Sequence, residues 1–433
     1  MAFSASVTWW TLFLTYIAAT SSEDHDPTSW PGHMEPLGSR KQWQPVATLE
    51  SYPKSEEFFA SYVLPSVPVL FKGVAKEYPA FKLWTDDFLL GLPETATTRV
   101  TIEMAKKEDR NKPGYDATFE NFLKTYNESD IYMVATAPDF LRKFIPLPDA
   151  LKCDEVIEEL VDTVVWFSSG GTKSVLHNDD VDNINCLYRG RKELLFIDFL
   201  KYRKTVVLDN YDRGFSGVDV DKVDFTKYPE LNNVEYHFAN MTPGDCLFIP
   251  FKWFHQVNSF DGNIAVNIWW NHNPKLIPTQ DNCGNPQPES IADVVFEVDR
   301  VKESELYADE NSLVSKLLGG CVAERSITFE EFEKWLQKDS DLLTLIEYWT
   351  DECSQLAREL FGLLDMDKDA MLSKEDLHIV SERENEIEMK GEESELILIA
   401  EEFGAIMEEQ QAEMTELAQK NLRRSQKDAK DEL

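Results

Sequence analysis

The sequence predicts an α+β protein, a mostly β first domain followed by an all-α second one. Two strand-like runs, Asn183–Tyr188 and Lys192–Asp198, and a turn-and-strand phrase from Pro243 to Val257 fill the middle of the chain. A stretch rich in Pro, Asn and Gln at 274–289 then interrupts the pattern and reads as a linker. Beyond it, apolar residues recur at helical spacing among many acidic ones. The 433 residues leave room for two or three domains.

The elements follow in chain order. Residues 1–22 read as a secretory signal, since Val7–Ala19 is apolar and small residues follow to Ser22, although no Lys or Arg precedes the run. That run is shorter than the roughly 20 apolar residues a spanning helix takes, and no other run is long and apolar enough to cross a bilayer. Residues 23–40 are polar and Pro-containing and are expected to be poorly ordered. Residues 41–273 form the β-rich domain, with mixed helices and strands up to about 170 flanking the strands that follow.

Those later strands carry the chemistry. His177 and Asp179 stand two positions apart in Ser174-Val-Leu-His-Asn-Asp179. On an extended chain alternate side chains share a face, so imidazole and carboxylate converge. His255 follows in Asp245-Cys-Leu-Phe-Ile-Pro-Phe-Lys-Trp-Phe-His255. Two histidines and one carboxylate on one face of an octahedral metal are the ligand set of a non-haem Fe(II) oxygenase. Arg189-Gly190-Arg191 is expected to turn the chain into a hairpin that brings Lys192 back beside this face. A lysine buried there calls for an anion, because an unpaired ammonium is costly to bury; the alternative is an exposed edge-strand charge.

The stretch from about Gln42 to Asn271 resembles JmjC-domain proteins of the small hydroxylase type. The resemblance rests on the H-x-D pair and His255, on Phe58–Gly73 and Trp84, and on the closing Asn267-Ile-Trp-Trp270. It implies a cupin-like double-stranded β-helix that uses Fe(II), 2-oxoglutarate and O2. It implies that His177, Asp179 and His255 bind the iron and that Lys192 pairs with the distal carboxylate of 2-oxoglutarate. By the same resemblance Ser174, three residues before the first histidine, supports that carboxylate, and Tyr132 is the candidate for a second supporting hydroxyl. Asn183 and Asn267 match polar pocket positions; strand hydrogen bonding or turn chemistry is their other reading.

The formal net charge of −36 argues against DNA or RNA as a direct partner, since phosphate binding needs clustered Lys and Arg. It is compatible with a basic peptide substrate. The last four residues, Lys430-Asp-Glu-Leu433, match the retrieval signal read by the KDEL receptor. Together with the N-terminal signal they predict residence in the endoplasmic reticulum lumen. Asn127 and Asn240 are then glycosylation acceptors, the second disfavoured by Pro243. In that compartment disulfides are permitted. Cys186 and Cys246 fall in predicted core strands and are expected as buried thiols, whereas Cys153, Cys283, Cys321 and Cys353 are available for one or two bridges. Their spacing does not resemble a zinc site.

Residues 290–380 read as an EF-hand-like pair. Asp365, Asp367, Asp369, Met371 (through its carbonyl), Ser373 and Asp376 occupy the calcium-ligand positions of a twelve-residue loop, after an entering helix over Leu356–Leu364. Ala370 stands where glycine makes the sharp turn, and Asp376 replaces the longer bidentate Glu, so calcium binding is expected to be weak. An acidic helix-capping loop is the alternative. The partner hand, leading into Ser326–Trp335, lacks acidic ligands around 319–325. Residues 381–433 form an acidic helical tail whose Leu396, Ile399, Phe403, Ile406 and Met407 share a face, for packing on the helical pair or for a homodimer. The expected function is hydroxylation of a protein or peptide side chain in the lumen. A JmjC-type lysine demethylase and a non-catalytic calcium-binding chaperone or scaffold are the rival readings.

Overall fold

The structure, a computed structural model, describes residues 26–108, 114–210, 214–279, 283, 288–299, 326–338, 346, 348–377, 379–380, 383 and 395–431. The signal-like segment, the partner loop at 319–325 and the last two residues lie outside these, as does Cys321.

Among the described residues, eleven strands form the sheet of the first domain. They are β1 (Trp43–Pro45), β2 (Ala47–Leu49), β3 (Val69–Phe71), β4 (Arg99–Glu103), β5 (Tyr115–Thr118), β6 (Tyr132–Thr136), β7 (Leu160–Ser168), β8 (Val181–Ile197), β9 (Tyr236–Met241), β10 (Cys246–Ile249) and β11 (Phe254–Asn271). The main path runs β2-β3-β10-β8-β11-β7-β6-β4-β5, with β9 joined to β8 and β1.

β8 and β11 organise the domain. They pair antiparallel from Val181 opposite Asn271 to Ile197 opposite Phe254. The first half of β8 also pairs β10, and its second half pairs β9. One long strand thus serves two differently directed parts of the sheet, and the bend lies at Gly190. Its φ is +82°, and a Cβ there would sit 2.8 Å from the carbonyl oxygens of Phe260 and Gly262. The ladder shifts register at the same level, between Phe260 and Ile264. A glycine inside a strand marks such bulges and corners. The hairpin expected at 189–191 is therefore absent; the glycine bends a continuous strand instead of reversing it. Lys192 reaches the interior because β8 runs on past the bend.

Aromatic side chains fill the main core, with Phe58, Phe71, Phe119, Phe122, Phe167, Phe248 and Trp270 essentially inaccessible. Three expectations need correction. Cys186 and Cys246 are directly opposed on β8 and β10, with Cα atoms 4.0 Å apart, and form a disulfide. Alternation puts both inward, but only the pairing of two strands far apart in sequence makes them neighbours. A second disulfide joins Cys153 to Cys283, and Cys353 is a buried free thiol. Residues 27–40 are ordered on the first domain: backbone N–H groups of Met34 and Leu37 donate to carbonyls of Val223 and Val220, and Leu37 is buried. The boundary at 273 falls short, because Leu276, Ile291, Val294 and Phe296 join the main core and Arg142 pairs with Asp299.

The second unit is helical. Helices Phe329–Lys338 and Asp351–Leu364 are tied by the short antiparallel pair β12 (Ile327–Thr328) and β13 (Met371–Leu372). Thr350 caps the second helix through its side chain on Cys353 N–H. A helix spanning Glu395–Asp431 completes the unit, burying Ile399 and Phe403 against Phe332, Leu356 and Phe361. The same helix continues onto the first domain, where Ala412 is buried in an apolar cluster with Leu176, Leu195 and Phe254. No helix among the described residues is long and apolar enough to cross a membrane.

Candidate metal centre and adjoining pocket

His177 and Asp179 lie on an extended segment outside the regular ladder. His177 exchanges backbone hydrogen bonds with His255, at 3.1 and 2.7 Å, in an isolated bridge. That bridge sets the two rings 4.1 Å apart between centroids. His177 Nε2 lies 4.0 Å from one Asp179 oxygen and His255 Nε2 lies 3.7 Å from the other. One potential ligand atom from each of the three falls within 4.8 Å of the others.

The orientation is fixed from behind. Nδ1 of His177 hydrogen-bonds the Val175 carbonyl at 2.9 Å, and Nδ1 of His255 that of Trp253 at 2.8 Å. Donation from Nδ1 leaves the Nε2 lone pair of each ring turned to the cluster, the tautomer a metal needs. Burial pushes the His255 ring down to about 4, with further repulsion from His177 outweighing the pull of Asp179. This imidazole is neutral at ordinary pH. Two imidazole nitrogens and one partly exposed carboxylate suit a divalent metal with open positions.

A cavity of about 260 Å³ adjoins the triad. The structure brings Lys192, Ser174, Tyr132, Asn183 and Asn267 to its wall, together with the three metal candidates. Lys192 is buried, and burial alone pulls its ammonium down to about 8. Its Nζ donates to Ser259 Oγ at 3.1 Å, and among the described residues it has no carboxylate partner. The edge-strand alternative for Lys192 is thereby excluded. Ser174 is otherwise engaged: its hydroxyl accepts from Val257 N–H and donates to the Val175 carbonyl, joining two segments. Ser259, opposite Lys192 across β8 and β11, is the hydroxyl beside the ammonium. Sequence reasoning missed it because the pairing register of β11 was not legible.

Asn185, Trp166 and Trp269 were also missed, and all line the cavity. Asn185 follows Asn183 by two on the same strand face and donates to Asn267 Oδ1. The Oδ1 atoms of Asn183 and Asn185 and the Nε1 atoms of Trp166 and Trp269 are buried without a hydrogen-bond partner among the described residues.

The acidic loop of the second unit is geometrically distinct. Carboxylate oxygens of Asp365, Asp367 and Asp369 lie within 4.8 Å of one another. Asp365 accepts the backbone N–H groups of Asp369 and Ala370, and Ala370 takes φ +68°, the conformation expected of its turn position. The Asp367 carboxyl is held above its usual range: a hydrogen bond from the Asp369 backbone opposes this, but desolvation and the neighbouring acids prevail. Asp376 departs from the expected ligand role. Its oxygens accept the backbone N–H groups of Met366, Asp367 and Ser373 and the Ser373 hydroxyl. Its short arm caps the loop instead of joining the three acids. Asn127 and Asn240 are both exposed.

Residues 55–276 match the model of the cupin-like domain. The chain is 28% identical over 234 residues to lysine-specific demethylase 8 of Xenopus tropicalis, covering 50% of this chain and 51% of the relative. It is 29% identical over 235 residues to lysine-specific demethylase JMJ30 of Arabidopsis thaliana, covering 50% and 53%. It is 26% identical over 264 residues to tRNA wybutosine-synthesizing protein 5 of Gallus gallus, covering 54% and 80%. The match spans about half the length of the first two relatives.

Proposed function

Since this chain belongs to the cupin-like domain family, we propose that it is an Fe(II)- and 2-oxoglutarate-dependent oxygenase that hydroxylates protein side chains in the endoplasmic reticulum lumen. The observation that carries this is the convergence of His177, Asp179 and His255 beside a cavity lined by a buried ammonium that has no carboxylate partner among the described residues. Iron, when bound, supplies the oxidising chemistry with O2 and the keto acid; the protein supplies position and electrostatics. His177, Asp179 and His255 would hold the metal beside the cavity. Lys192 then neutralises the distal carboxylate of 2-oxoglutarate, with Ser259 and Tyr132 beside it. Trp166 and Trp269 wall the cavity and keep water from the reacting centre.

Two of the relatives are named as lysine demethylases, so demethylation is the second reading. Both reactions begin with attack on a C–H bond and differ in where it lies. The relative named for tRNA modification is the weaker guide, because a chain of net charge −36 is ill suited to a phosphate backbone. The luminal reading is supported by the signal-like segment, by the terminal K-D-E-L and by two disulfides. Weak calcium binding by Asp365, Asp367 and Asp369 is part of the same proposal.

The test is succinate release from 2-oxoglutarate in the presence of luminal peptides, with mass spectrometry of the peptides. Turnover lost in His177→Ala, with peptides gaining one oxygen, supports hydroxylation. Formaldehyde release with loss of a methyl group selects demethylation. Wild-type turnover no greater than that of His177→Ala rejects both.

A further inference from the structure

A polar chain runs behind the metal centre and ends on the C-terminal helix. Asp182, fully buried at the start of β8, accepts the backbone N–H of Phe251 on one oxygen at 2.9 Å. Its other oxygen faces Nδ1 of His272 at 2.8 Å. His272 directly follows β11 and stacks on the Phe251 ring, 4.4 Å between centroids. Its Nε2 meets the Thr415 hydroxyl at 3.0 Å. Thr415 is 3% exposed, and its hydroxyl also donates to the Gln411 carbonyl at 2.8 Å.

This chain touches both segments that carry metal candidates. Asp182 lies three residues beyond Asp179, and Phe251 four before His255. The adjoining Lys252 donates its backbone N–H to the Asp179 carbonyl at 2.9 Å and pairs its ammonium with Asp180. Lys252 holds a left-handed φ of 59°, a conformation that surrounding contacts must maintain. The 250–252 turn and the 179–182 segment are thus laced together, and Asp182 is the side chain that fastens the lace from behind.

The helix that supplies Thr415 is docked by independent contacts. Ala412 is buried in the same apolar cluster as Leu176 and Phe254, the residues adjacent to His177 and His255 in sequence. Arg203 pairs with Glu416 at 2.9 Å and with Glu409 at 3.5 Å, and Lys204 with Glu409 at 3.0 Å.

We propose that Thr415 is a positioning residue for the metal centre: through His272 and Asp182 the C-terminal helix holds the Phe251–Lys252 turn against Asp179 and so sets how His255 meets Asp179. This rests on the metal-binding reading of His177, Asp179 and His255. Without the hydroxyl, Nε2 of His272 loses its hydrogen-bond partner in the interior. The ring then reorients, Asp182 loses its fixed angle, and the Phe251 amide is freed.

The experiment is anaerobic titration of the full-length protein with Co(II), read by calorimetry and by the visible absorption of the bound ion. Thr415→Val weakens Co(II) binding by about tenfold, the low end of what outer-shell partners contribute, and shifts the absorption. Thr415→Ser restores both. Should Thr415→Val fail to fold, the double variant Glu409→Gln/Glu416→Gln loosens docking from the surface and gives a roughly twofold loss. A folded Thr415→Val with wild-type affinity and spectrum overturns the proposal, as does a double variant whose helix exchanges amide hydrogens faster while Co(II) affinity is unchanged. Wild-type binding that is lost in His177→Ala but kept in Thr415→Val defeats this inference alone. Wild-type binding no tighter than that of His177→Ala defeats the metal reading, and the inference with it.

Discussion

Lys192 holds an ammonium in the interior with a serine hydroxyl for company, and that arrangement is costly until an anion arrives. Its pKa is pulled from 10.5 to about 8 by burial. Below about pH 8 the group is charged in folded and unfolded chain alike, so the cost is fully present there. As pH rises from about 8 towards 10.5, the folded chain sheds the proton before the unfolded one, and the cost is relieved. A shift of this size corresponds to about 3 kcal/mol. Lys192→Met should therefore raise the melting temperature of the ligand-free protein at pH 7 and flatten its rise above pH 8. It should also abolish stabilisation by 2-oxoglutarate, which in wild type fades as pH climbs past about 8. Melting curves across pH, with and without 2-oxoglutarate, check this; identical pH profiles for the two proteins would reject it. Asp179 carries the negative charge of the triad. Asp179→Ala should lower Co(II) affinity by more than the roughly 10–100-fold of an outer-shell change, while the fold, as seen by circular dichroism, persists.

At the scale of elements, the two long strands explain what the sequence revealed and what it hid. That His177, Asp179 and His255 come together was legible because an H-x-D pair with a distal histidine is the ligand pattern of a non-haem iron site. Asn183 and Asn267 were legible as polar positions on strands. The bend at Gly190 was read as a hairpin, because local pattern cannot distinguish a chain that reverses from one that turns a corner and continues. Ser259 and the Cys186–Cys246 bridge were hidden for one reason: both depend on cross-strand register, a non-local property. Residues 23–40 and 274–289 looked like loose connections because their composition is polar, and 290–299 was read with the helical unit, yet a few apolar anchors, Leu37, Leu276, Ile291 and Phe296, fix the described parts to the first domain. The bridge itself gives a prediction. Cys186 and Cys246 close a loop of 60 residues, and removing such a constraint from the unfolded chain costs about 4 kcal/mol in the chain-entropy account. Non-reducing peptide mapping should recover Cys186 linked to Cys246 and Cys153 linked to Cys283. The pair Cys186→Ala/Cys246→Ala should melt well below wild type; recovery of both cysteines as free thiols would reject the pairing.

At the scale of the whole molecule, one helix belongs to both units. Glu395–Asp431 buries Ile399 and Phe403 in the helical core and Ala412 and Thr415 on the first domain. Between them Gln410 exchanges hydrogen bonds with the Tyr348 backbone at 2.9 and 3.2 Å, and the Tyr348 hydroxyl donates to Glu413 at 2.6 Å. Anything that stabilises the helical core therefore stabilises the surface on which the first domain is docked. Calcium is the candidate. Asp365, Asp367 and Asp369 converge, but Asp376 is occupied by backbone amides, so one strong bidentate ligand is missing. The affinity should lie near the weak end for such loops, about 10⁻⁴–10⁻³ M. A ligand at ten times its dissociation constant adds about 1.4 kcal/mol to the state that binds it. In the full-length protein this should appear as a single melting transition that moves upward over millimolar calcium, because the shared helix links the units. Asp365→Asn should lose the shift, since Asp365 both contributes an oxygen to the cluster and holds the Asp369 and Ala370 amides. Scanning calorimetry with and without calcium decides the matter. Two separate transitions, with only one responding, would mean that the helix does not transmit the stabilisation; no response at millimolar calcium would reduce the loop to a cap held together by its own hydrogen bonds.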